Sequence, residues 1–76
     1  MRKITCTLTF PDGKKMIATA AAKSADENVL YQYSGDVSRL MPYGDKGTLG
    51  FFEWYLKGIA ANYGAEIDVR SDGQFQ

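Results

Sequence analysis

Glu66 and Asp68 stand two residues apart and Asp26 adjoins Glu27, so the chain holds two carboxylate pairs with the spacing that acid–base work or a hard cation would use. Catalysis by such a pair needs one member buried deeply enough to raise its pKa. Both pairs lie in polar stretches that read as solvated faces, where Asp and Glu are rarely buried. Cys6 is the only thiol, and Ile4, Leu8 and Phe10 place it in the inward row of a strand. It reads as a core thiol rather than a nucleophile. Histidine is absent altogether, which removes the commonest general base and the commonest metal ligand. Gly44-Asp45-Lys46-Gly47 has the wrong order and spacing for a phosphate loop, and neither a zinc pattern nor a nucleophile elbow occurs. The expectation is a protein without catalytic residues, metal site or cofactor.

What positions these residues is one small domain spanning residues 1–76, with 45% hydrophobic and 13% aromatic residues, enough to fold. A lone cysteine allows no internal disulfide, which argues against a secreted mini-domain. Threonines interrupt the apolar run a leader would need, and no stretch approaches a membrane span, so a cytoplasmic location is expected. Nine basic residues balance nine acidic ones. The balance hides a split: residues 1–25 carry five cations against Asp12 alone, a net of +4, and the remainder carries four cations against eight acids, a net of −4. If the last strand lies beside the first, Arg2 and Lys3 would meet Glu66 or Asp68 across the sheet. The alternative is a small nucleic-acid-binding domain that uses the basic amino-terminal hairpin, with Arg2, Lys14 and Lys15 as its contacts.

The alternation of Ile4, Cys6, Leu8 and Phe10 with Lys3, Thr5, Thr7 and Thr9 is that of a half-buried strand. Pro11-Asp12-Gly13 suits a three-residue hairpin loop, followed by a strand from Lys14 to about Ala21. Pairing Phe10 with Lys14 sets Leu8 opposite Met16, Cys6 opposite Ala18 and Ile4 opposite Ala20. That inward row is small and calls for a bulky cover. Leu49, Phe52, Leu56, Ile59 and Tyr63 recur at helical steps of three and four, with Thr48 as amino-terminal cap and Gly64 as left-handed carboxyl-terminal cap. Ala65, Ile67 and Val69 alternate as a final strand that Ser71-Asp72-Gly73 should end, leaving a tail in which Phe75 docks. In the middle, Ser24-Ala25-Asp26-Glu27 matches a capping box, whereas Val29, Tyr31 and Tyr33 alternate as a strand; the strand is preferred. Asp36 to Met41 reads as a short strand or one helical turn, and Tyr43 to Gly47 as a loop. The expected fold is α+β, an antiparallel sheet of three or four strands in the order β-β-β-α-β with one long amphipathic helix packed on one face.

The back of that helix is the unusual feature. At about 100° per residue, Trp54 projects away from the core stripe among Gly50, Gly58 and Ala61, with Phe51 and Tyr55 on the flank. Two helical glycines each cost about 1 kcal/mol relative to alanine, which suggests close approach by another surface. Either residues 28–43 wrap over Trp54 as a second core layer, or Trp54, Phe51 and Tyr55 anchor a protein partner or a second copy of the chain. The favoured function is a non-enzymatic protein-binding module, in one form a stoichiometric inhibitor of a host enzyme or defence complex, in which the helix aromatics and the acidic loops around Asp36 and Asp45 together occlude the partner's working surface. Small phage and mobile-element proteins, anti-CRISPR proteins among them, offer an analogy of size and composition only.

Overall fold

The computed structural model describes residues 1–36 and 46–76. Alternating side chains build β1 (Arg2–Thr9) and β2 (Lys15–Ala22). The Phe10 N–H donates to the Lys14 carbonyl and the Gly13 N–H to the Phe10 carbonyl, both at 2.9 Å, with Gly13 in the left-handed region its place in the turn requires. The register is the expected one: Leu8 faces Met16, Cys6 faces Ala18 and Ile4 faces Ala20. Strand pairing on β2 begins one residue later than expected, at Lys15, and extends to Ala22.

The cover over the small inward row is α1 (Leu49–Tyr63). The Phe51 N–H donates to Thr48 Oγ1 at 3.2 Å, and Gly64 closes the other end with φ +64°. At 15 residues it is a helix of ordinary length, about 22 Å, and not the long one expected. Phe52 and Leu56 are fully buried and fill the space left by Ala18, Ala20 and Ala22. Tyr63 departs from the expected core stripe and is 52% exposed. It sits at the last turn, level with the hairpin loop, where Phe10 is the last inward residue of the hairpin and meets its ring edge-on at 6.2 Å. Ala60 joins the core instead.

β6 (Glu66–Gly73) pairs antiparallel with β1. Ser71-Asp72-Gly73 does not end it as expected, because Ile4, Lys3 and Arg2 extend the ladder to meet these residues. The chain turns only after Gly73, and Phe75 docks beside the Arg2 guanidinium at 5.4 Å while the Gln76 N–H donates to the Lys23 carbonyl at 2.9 Å.

The single middle strand expected over Val29–Tyr33 is divided into β3 (Val29–Leu30) and β4 (Gln32–Gly35). The break falls at Tyr31, whose buried ring lies 4.8 Å from that of Phe52. β4 adds to β2, giving a four-stranded antiparallel sheet in the order β4-β2-β1-β6 with α1 against one face, an α+β fold. Lys46 and Gly47, expected in a loop, form β5 (Lys46–Gly47) and pair with β3 as a separate ribbon. Ser24 to Glu27 form a turn rather than a helix, closed by the Glu27 N–H on the Ser24 carbonyl at 3.3 Å. The readings of residues 37–45 lie outside the described residues.

Candidate functional site

On α1 the stripe of Leu49, Phe52, Leu56 and Ile59 faces the sheet, which turns residues 50, 54, 58 and 61 outward. Trp54 is 68% exposed, so the second-core-layer reading does not hold for it. Phe51 is 38% exposed and its ring lies 5.8 Å from Trp54 at 40°. On its other side Phe51 stacks on Tyr55 at 5.7 Å with 6° between the planes. The three rings form a continuous row across about one turn. Among the described residues nothing comes within 4 Å of where a Cβ on Gly50 or Gly58 would stand, so the face beside Trp54 is flat and open. The opposite flank carries Glu53 and Lys57, ion-paired at 2.8 Å. The three rings are thus in mutual contact, beside a neutral ion pair.

The two aspartates expected to share the contact do not join the rings in what the structure describes. The Asp36 N–H donates to the Lys15 carbonyl at 2.9 Å and its carboxylate accepts from the Lys15 N–H at 3.4 Å, tying it to the start of β2. Asp45 lies outside the described residues.

The basic residues are spread. Arg2 pairs in register with Ala22 and Thr9 with Lys15, so Arg2 lies a strand length, roughly 24 Å, from Lys15. Arg2 also leans to the helix side, where its Nε donates to Ser71 Oγ at 2.9 Å, whereas Lys15 points to the open face of the sheet. The Lys14 N–H donates to Asp12 Oδ1 at 3.0 Å inside the hairpin turn.

The last strand lies beside the first, but its register differs from the pairing expected for the split charges. Glu66 and Asp68 stand opposite Thr9 and Thr7, and Lys3 stands opposite Asp72. Asp68 instead pairs with Arg70 on its own strand at 3.1 Å. Cys6 is fully buried, and its thiol is pushed up to about 11, first by burial and then by the Glu53 carboxylate. An open recess of about 240 Å³ between Arg2, Leu49, Glu53 and Phe75 is smaller than an ordinary ligand pocket.

What the sequence reading passed over is the outer edge of β6, an eight-residue strand at the margin of the sheet. The signal was present in the alternation of charge along Asp68, Arg70 and Asp72. No protein-family model, curated protein or solved structure matches the chain.

Proposed function

We propose that the protein is a non-enzymatic binding module that contacts another protein through the aromatic row of α1. One observation carries the reading: the single tryptophan is 68% exposed and held by a neighbouring ring, on a helix face that two glycines leave flat. Trp and Tyr are enriched among residues that dominate binding energy, and rings fixed against each other lose little freedom on association. Without net charge to attract a polyanion, the face suits an apolar protein surface better than nucleic acid. Its action would be stoichiometric occlusion of the partner's working surface, as an inhibitor of an enzyme or multi-subunit complex does.

The test is parallel affinity purification from the native host with the wild-type chain and with Trp54→Ala, followed by titration of the retained protein with each purified chain. The reading expects a partner that binds one-to-one and is lost with Trp54→Ala while the circular dichroism spectrum is unchanged. Equal binding by both chains, or unfolding of the variant, overturns it.

A further inference from the structure

β6 is the last strand of its sheet, with β1 on one side only. The Phe10 N–H donates to Lys14 across the hairpin, so the backbone groups of Phe10, Leu8, Cys6 and Ile4 face β2. Those of Thr9, Thr7 and Thr5 therefore face β6, where their partners are Glu66, Asp68 and Arg70. The registers of both ladders are unbroken, so the N–H and C=O groups of Ile67, Val69 and Ser71 point outward. Among the described residues no strand pairs with that edge.

Exposed edges are commonly guarded by charge, and β6 carries Glu66, Asp68, Arg70 and Asp72 on its open-face side. A guard of one sign repels every approach; this one sets a single cation, Arg70, between Asp68 and Asp72. When two copies meet antiparallel with their helix-side faces continuous, residues of the same face must oppose each other, which limits the register. Two registers pair seven residues of β6. One centres on Arg70, opposing it to its own copy and Asp68 to Asp72, all like charges. The other centres on Val69, opposes Ile67 to Ser71, and sets Asp68 of each copy against Arg70 of the other.

We infer that β6 is a self-recognition edge, on which a second copy of this chain adds in the register centred on Val69 to form a continuous eight-stranded sheet. Val69 then exchanges both backbone hydrogen bonds with its own copy. Asp68 and Arg70 fall at non-hydrogen-bonded positions, where opposing side chains are closest. The existing pair of Asp68 and Arg70 at 3.1 Å becomes one side of a closed ring of four alternating charges. Glu66 and Asp72 oppose each other at the two margins and limit the strength of the contact. Both copies of α1 stand on the same side of the joined sheet, so their aromatic rows remain open. The inference does not rest on the proposed function.

Sedimentation equilibrium over micromolar to millimolar concentrations of the full chain tests it, with Arg70→Asp and Asp68→Arg as variants at exposed positions. Wild type is expected to dimerise, each variant alone to weaken the dimer at least tenfold, and an equimolar mixture of the two to restore a heterodimer. Amide exchange on the wild type supplies a second readout, in which Ile67, Val69 and Ser71 gain protection as concentration rises. A chain that stays monomeric throughout, or a dimer insensitive to Arg70→Asp but lost with Trp54→Ala, overturns the inference. The second result would assign self-association to the helix face instead.

Discussion

The Tyr31 hydroxyl donates to the backbone carbonyl of Thr48 at 3.1 Å, tying the break between β3 and β4 to the residue that caps α1. The same carbonyl accepts the first helical bond, from the Phe52 N–H at 3.0 Å. Burial of the phenol raises its pKa. Tyr31→Phe keeps the ring against Phe52 and removes only the hydrogen bond. It is expected to cost about 1 kcal/mol by urea denaturation, with an unchanged m-value.

The glycines around α1 divide into two kinds. A Cβ on Gly47 would collide with the Tyr31 hydroxyl and approach Phe51 Cδ1 to 3.3 Å, so Gly47→Ala is expected to destabilise by about 1–3 kcal/mol. Gly50 and Gly58 have open space, and Gly50→Ala and Gly58→Ala should each stabilise by up to about 1 kcal/mol through helix propensity. Thermal melts of the three variants check the contrast. Under the proposed function, the two helix variants should also weaken partner binding while raising the melting temperature.

Trp54 is the only tryptophan, so fluorescence reports on it alone. The native protein should already show the red-shifted emission of a hydrated indole, and acrylamide should quench it nearly as well as in the unfolded chain. Trp54→Ala should change stability by less than about 0.5 kcal/mol, as surface substitutions do.

Cys6 makes stability depend on alkaline pH. Its folded pKa of about 11 exceeds the ordinary 9.0, so the unfolded chain loses the thiol proton first. The contribution is fully present below pH 9 and is lost as pH rises from there toward 11, a loss of about 2–3 kcal/mol. Cys6→Ala should flatten stability over that interval at some cost in packing near neutrality. Denaturation midpoints at matched pH values for both chains check the difference.

The hairpin, its register, the helix caps and the final strand were legible because each rests on a local rule: alternation, a glycine with positive φ, a capping hydroxyl. Register followed from one turn. The middle was harder, since Val29, Tyr31 and Tyr33 alternate as one strand would, yet Phe52, over twenty residues later, captures Tyr31 and breaks the run. Lys46 and Gly47 join a strand only because Val29 and Leu30 lie beside them, a long-range pairing that periodicity does not carry. The exposure of Trp54 was undecidable from helical geometry, which gives the direction of a side chain and not what the rest of the chain lays over it. The β6 edge depended on knowing that β1 occupies only one of its sides.

The placement of β1 between β2 and β6 also sets an order of events during synthesis. β1 and β2 are separated by a short turn and can pair as soon as both have emerged, whereas Arg2 waits for Gly73. In the interval the nascent hairpin shows the ribosome exit region an open edge along Thr5, Thr7 and Thr9. Threonine on that row carries no charge to guard it, so until β6 arrives the waiting edge is a template for other chains, and the arrival of β6 is what closes it.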